Sequence, residues 1–292
     1  MSADAGPRPD PPVGWPPAPC PHPTAPGTRI VLAHRGARAL APENTLAALR
    51  AAARAGARWV EIDVDVIGDG TVIVIHDSSL DRTTDRTGSY YRLRAADLPA
   101  IDAGSWFRAE DGSRPFAGEG LPTLADALDV VAQTAMSVNV ELKSCQAGAA
   151  ACRRLVDDVA AQLDALAERA PASQALVSSF NPLLLERMGR RRPEATLALL
   201  TGAGALGDDW RSRAEMLGAR AVHPAQAGLD RERVEEMRAL GYGVNVWTVN
   251  TRERAVELFD WGATGIFTDR VHELGGLGDG GDRAAETAAD KR

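Results

Sequence analysis

The chain has 292 residues, 45% hydrophobic and 25% charged, which excludes wholesale disorder and suffices for one α/β barrel or two ordinary domains. Its net charge of −7 excludes a global positive field for nucleic acid or an anionic membrane, so an anionic substrate must be met by a few local cations. Three cysteines without a CxxC pair, Cys20, Cys145 and Cys152, make neither a disulfide framework nor a zinc site. Together with the lack of an apolar run of about 18 residues or of an apolar leader, they point to a soluble cytoplasmic protein.

Ten of the eighteen prolines fall in residues 1–28, a stretch too poor in apolar side chains to offset its ordering entropy, and a disordered arm is expected there. A glycine-rich tail is expected over 275–292. The body, 29–274, matches the roughly 250 residues of a (β/α)8 barrel. Within it short β-branched runs alternate with alanine-rich helical patterns, as in parallel βα units. Strands are expected to start at Ile30, Arg58, Ser137, Ala175, Thr196, Arg220, Gly243 and Thr264. Between the second and third of these, Thr71 to Ile75 follows only Gly68-Asp69-Gly70. Three turn residues cannot make a crossover, so this run should return antiparallel and bring His76 beside Asp63. Residues 77–122 then lack periodicity, as a functional excursion would. Thr123 opens a helix. A helix over Ala147 to Ala170 puts Leu155, Val159, Leu163 and Leu166 on its core face. Asn181-Pro182 opens another, Asp230 opens one that stops at Gly241, and Asn250 with Glu253 three on opens the last.

Alternation on the second strand sends Val60, Ile62, Val64 and Val66 toward the helices and Glu61, Asp63 and Asp65 toward the barrel axis. The strand Val138 to Lys143 likewise turns Glu141 and Lys143 inward. Burying ionised carboxylates costs several kcal/mol each unless they are paired, so a cation should sit among Glu61, Asp63 and Glu141. All-oxygen ligands select Mg²⁺ or Ca²⁺ over zinc. A polar strand facing solvent would explain the same residues, but not in a barrel whose strands are covered on both faces.

His34 ends the first strand and His76 the returning arm, the end of a barrel where active sites lie, and two imidazoles there suit acid and base work near neutral pH. His22 and His272 lie by the termini, and His223 reads as a local hydrogen-bond partner. With the three carboxylates, a divalent ion, Arg35 and Lys143, the site would carry one positive charge, which one phosphodiester neutralises. Arg35 is suited to bidentate phosphate contact and Lys143 to a point contact.

These residues resemble the barrel-shaped glycerophosphodiester phosphodiesterases. The resemblance rests on His34-Arg35-Gly36, Ala41-Pro42-Glu43-Asn44-Thr45, Glu61-Ile62-Asp63, His76-Asp77, Leu80-Asp81-Arg82-Thr83-Thr84, Asp102-Ala103-Gly104-Ser105-Trp106-Phe107, Pro122-Thr123-Leu124, Glu141-Leu142-Lys143, Ser179-Phe180 and Val246-Trp247-Thr248-Val249-Asn250, in family order over about 30–270. It implies a (β/α)8 TIM barrel, with 77–122 as the family's insertion, that hydrolyses glycerophosphodiesters to glycerol 3-phosphate and an alcohol. It further implies Glu61, Asp63 and Glu141 as metal ligands, His34 and His76 as the catalytic pair, Arg35 and Lys143 as phosphate-binding, and Phe180 and Trp247 as pocket lining. Thr264 stands where an acidic residue is common, and the closing segment Gly265 to Val271 lacks the proline that often follows in the family; neither position belongs to the proposed site.

Three other readings compete. A zinc amidohydrolase wants a His-x-His pair on the first strand, where only His34 stands. A non-catalytic phosphate-binding barrel should have lost a histidine or a carboxylate, and none is missing. A lysophospholipase D or sphingomyelinase D-like enzyme would use similar parts on a lipid, without an evident membrane-docking helix here.

Overall fold

The computed structural model describes residues 24, 25 and 27–278. Nearly all of the proline-rich arm and most of the tail lie outside the described residues. The strands are β1 (Ile30–Ala33), β2 (Trp59–Val66), β3 (Val72–Val74), β4 (Ser137–Leu142), β5 (Ala175–Ser179), β6 (Thr196–Thr201), β7 (Ala221–Pro224), β8 (Gly243–Val246) and β9 (Gly265–Thr268). The helices are α1 (Leu46–Arg54), α2 (Leu124–Thr134), α3 (Ala149–Arg169), α4 (Pro182–Arg191), α5 (Trp210–Leu217), α6 (Arg231–Ala239), α7 (Arg252–Asp260) and α8 (Val271–Leu274). The strands other than β3 pair in parallel, and β1 meets both β9 and β2, which closes a (β/α)8 TIM barrel. β2, β7 and β9 each begin one residue later than the sequence indicates.

β3 pairs antiparallel with β2, Val64 opposite Val74, and the Ile75 amide donates to the Asp63 carbonyl at 2.9 Å. A three-residue turn permits no other arrangement, and it sets His76 at the mouth of the barrel. Alternation along β2 sorts its side chains as expected. Val60, Ile62, Val64 and Val66 join the main core between barrel and helices, while Trp59 joins Ile30, Leu32, Leu176, Ala198, Ala221 and Phe267 in the plug that fills the axis. Glu61, Asp63 and Asp65 continue above that plug on the same face. Residues 77–122 carry a 3-10 helix, Ala95–Ala100, and a small core of their own, in which Leu80, Tyr90, Leu98 and Ile101 pack on Ile73 and Ile75 of the hairpin.

Other boundaries differ from expectation. Asn250 does not cap α7, whose N-cap is Thr251, with its hydroxyl accepting the Arg254 amide. Asn250 is drawn instead to the end of β9, where its amide donates to Asp269 Oδ2 at 2.8 Å and accepts the Asp269 N–H at 2.9 Å. Nor is α7 the last helix, since α8 follows. Gly275–Leu277, read from composition as the start of a tail, form a 3-10 turn, and Leu277 packs against the main core. No helix among the described residues is long and apolar enough to cross a membrane.

The turn after β1 depends on Gly36. Its φ is +79°, and a Cβ there would lie 2.7 Å from the backbone carbon of Ala48 in α1. Gly36→Ala should therefore lower stability by about 1–3 kcal/mol through left-handed strain and displacement of α1, read as a shift in urea midpoint.

Candidate active site

The C-terminal ends of β1, β2 and β4 and the exit of β3 enclose a cavity of about 260 Å³ whose lining includes His34, Arg35, Glu61, His76, Glu141, Phe180 and Trp247. Parallel pairing places Asp63 level with Glu141, so the acidic residues of neighbouring strands share one layer. One oxygen from each of Glu61, Asp63 and Glu141 lies within 4.8 Å of the others. Lys143 Nζ reaches Glu141 Oε1 at 2.7 Å and Asp63 Oδ1 at 3.2 Å. Among the described residues Glu61 has no such cation: its Oε2 accepts the Arg35 amide at 2.8 Å, and its buried Oε1 has no hydrogen-bond partner.

Burial, and then the neighbouring carboxylates Asp63 and Glu141, hold Glu61 well above the ordinary carboxylate range. Burial and Asp63 push Glu141 up to about 7 against the pull of Lys143. Asp63 goes the other way, because Lys143 and Arg35 outweigh its burial. The cluster is thus short of positive charge at Glu61 and Glu141. An orphaned carboxylate oxygen in an all-oxygen set fits a hard divalent cation, whose binding would displace protons from these groups.

Each histidine is backed by a carboxylate. His34 Nδ1 lies 2.7 Å from Asp269 Oδ1 and His76 Nδ1 lies 2.7 Å from Asp77 Oδ1, so a proton on Nδ1 leaves Nε2 as the exchanging atom. Burial holds both imidazoles below their ordinary value, and the carboxylates oppose it. Neither ring belongs to the three-carboxylate cluster, against the amidohydrolase arrangement. His223, fully buried, receives a 3.0 Å contact from the Asn245 amide and is pushed down to about 3 by burial. It is a neutral axis residue, held in a chain that runs through Asn245 to Thr264.

Several residues here have no role in the reading of the sequence. Asn44, at φ +57°, donates to Asp63 Oδ2 at 2.9 Å and accepts the Asp63 N–H at 3.2 Å, clamping that carboxylate. Glu43 is buried among Arg35, Arg38 and Arg82. Arg82 also grips Asp77 at 2.6 Å and so fixes the support of His76. Arg35 approaches Asp63 at 3.2 Å through Nε and binds Glu43 at 2.7 Å through Nη1. The charge balance needs correction accordingly. Glu43, Asp77 and Asp269 add three carboxylates and Arg38 and Arg82 two cations, which cancels the single positive surplus. An anionic ligand would meet particular N–H groups here rather than a net positive charge. Asp269, at the end of β9, was detectable from its position alone.

Phe180 and Trp247 meet edge to face, 5.7 Å between centroids. The Trp247 indole is anchored by its N–H to the His223 carbonyl at 3.0 Å, whereas Phe180 is 43% exposed, a large value for an aromatic ring.

This fold and site define a barrel enzyme that hydrolyses phosphate esters. Residues 34–273 match the glycerophosphoryl diester phosphodiesterase family. The chain is 31% identical over 245 residues to a glycerophosphodiester phosphodiesterase of Caldanaerobacter subterraneus, covering 84% of this chain and 96% of that one. A phosphodiesterase of Oleispira antarctica, solved in complex with the product sn-glycerol-3-phosphate, superposes with a TM-score of 0.75 at 33% identity, over 85% of this chain and 96% of that one. A Silicibacter pomeroyi structure of related description gives 0.72 at 26% identity, over 83% and 91%. The chain belongs to the glycerophosphoryl diester phosphodiesterase family.

The Glu43 cluster gives the fold an acid limit. Burial raises the Glu43 carboxyl, but Arg82, Arg35 and Arg38 outweigh it and bring it to about 2, below its ordinary 4.5. A depressed carboxylate contributes stability that is complete above the unfolded value and is lost as pH falls from about 4.5 through about 2. Glu43→Gln should cost on the order of 3 kcal/mol at neutral pH and flatten the acid limb, read by urea unfolding across a pH series.

Proposed function

We propose that the chain hydrolyses glycerophosphodiesters to sn-glycerol 3-phosphate and an alcohol, with His34 and His76 as the acid and base. The observation that carries this reading is a carboxylate triad, two of whose members, Glu61 and Glu141, share one cavity with two carboxylate-backed imidazoles.

Glu61, Asp63 and Glu141 would hold one divalent cation, Mg²⁺ or Ca²⁺. When bound, it supplies positive charge to the phosphate oxygens. Arg35, 12% exposed, and Lys143, 17% exposed, orient the phosphate with N–H groups that their carboxylate partners leave over. One imidazole Nε2 takes the proton of the attacking hydroxyl while the other gives a proton to the departing alkoxide. Overall, water supplies the new P–O bond and its proton while the bond to the alcohol breaks. Asp269 and Asp77 fix the tautomer and stabilise whichever ring is cationic. Phe180 and Trp247 line the cavity and would pack against the substrate there.

Chelation should abolish release of glycerol 3-phosphate, and Mg²⁺ or Ca²⁺ should restore it, followed in a coupled assay. Full turnover in excess chelator would rule out the metal. His34→Ala and His76→Ala should each lower kcat by about 10²-fold or more. Calorimetric metal affinity should stay unchanged in both. Loss of metal in either variant would make that histidine a ligand, and a wild type without turnover would leave a phosphate-binding barrel.

A further inference from the structure

His34 and His76 stand on segments that the sheet does not hold in register with each other: β1 and β3 each pair with β2 and, among the described residues, not with one another. Their supports nevertheless meet. Asp269, which holds His34 Nδ1, faces Arg38 Nη1 at 3.6 Å, and Arg38 Nη2 lies 3.1 Å from Glu43 Oε2. The Ala39 amide donates to the Asp269 carbonyl at 3.3 Å and so keeps the loop bearing Arg38 against the end of β9. Asp77, which holds His76 Nδ1, is gripped by Arg82 through Nε at 2.6 Å and Nη2 at 2.9 Å. The same guanidinium donates to both oxygens of Glu43, at 3.0 and 2.7 Å. One carboxylate, 3% exposed, thus ends two arms of the same make: imidazole, aspartate, arginine.

We propose that Glu43 is the common positioning residue of both catalytic imidazoles and that Arg38 serves His34 as Arg82 serves His76, which rests on the phosphodiesterase reading above. Charges alternate in sign from Asp269 through Arg38, Glu43 and Arg82 to Asp77, so each guanidinium is held from both sides. Its fork is planar and rigid, and it fits one carboxylate only in an orientation that also suits the other. A displacement of Glu43 is therefore passed to both aspartates and from them to both rings. Acid and base must reach one phosphorus from opposite sides, where a misplacement of about 1 Å can cost about 10²-fold. A shared buried anchor sets that relation without a backbone ladder between the two segments. Arg38 also lines the cavity, so direct contact with substrate is its competing role.

The test uses the full chain with Mg²⁺ or Ca²⁺, whichever supports turnover, on the methyl, glyceryl and aminoethyl esters of glycerol 3-phosphate. Arg38→Met and Arg82→Met should each lower kcat by about tenfold with KM within about twofold. Imidazole ¹⁵N shifts, read through the carbon-bound ring protons at about pH 8 and assigned with His34→Ala and His76→Ala, report the tautomer of each neutral ring. Both wild-type rings should carry the proton on Nδ1. Arg38→Met should turn His34 alone into a tautomer mixture, Arg82→Met His76 alone, and Glu43→Gln both. Glu43→Asp, which keeps the charge but withdraws the carboxylate by one methylene, should also disturb both and serves if Glu43→Gln does not fold. A raised KM at unchanged kcat in Arg38→Met, or Glu43 variants that disturb one ring or neither, overturns the shared anchor. A wild type that hydrolyses none of the three esters overturns the phosphodiesterase reading instead, while the ring spectra still decide whether Glu43 orients both imidazoles.

Discussion

A carboxylate in the axis of a barrel stays ionised only if something positive faces it, and the mouth of this barrel is arranged around that requirement. β2 carries Glu61, Asp63 and Asp65 inward above an apolar plug, and each meets a different answer. Asp63 is surrounded by Lys143, Arg35 and Asn44 and is held ionised. Asp65 sits under two tyrosine hydroxyls that both donate to its Oδ2 while its Oδ1 accepts the Val66 amide, and burial raises it. Glu61 is left with an unanswered oxygen. Within one strand the environment thus ranges from several partners at Asp63 to an unpaired oxygen at Glu61.

The same cost explains why the surrounding loops are so heavily cross-linked by ions. Glu43 answers three guanidinium groups from two loops, and Asp269 and Asp77 each hold an imidazole while being gripped in turn by Asn250 and Arg82. Removing one member leaves a buried charge unpaired, which is far more costly than losing a surface ion pair. The histidine geometry is thereby fixed before substrate arrives.

Much of this was legible in the sequence because β2 breaks a rule visibly. Strands of an α/β barrel are near-continuous apolar runs, and three acids at alternate positions in one of them have few explanations. The three-residue turn after it was equally informative, since chain geometry alone forced β3 antiparallel and delivered His76. What stayed hidden depends on contacts between distant loops. Glu43 and Asn44 look like ordinary residues before a helix until Arg82 and Asp63 are placed beside them. Asn250 and Thr251 are equally good caps by type, and the choice between them was made by Asp269 at the end of another strand.

Arg82 belongs to the excursion yet binds Glu43 in the loop between β1 and α1 as well as Asp77 next to His76. The hairpin and its excursion are consequently not a transplantable cassette. Grafted onto another barrel, they would bring the imidazole but not the anchor that aims it, unless the segment containing Glu43 and Asn44 travelled with them. Shortening the excursion past Arg82 would have the converse effect, leaving the donor barrel with three guanidinium partners of Glu43 reduced to two and a histidine free to turn.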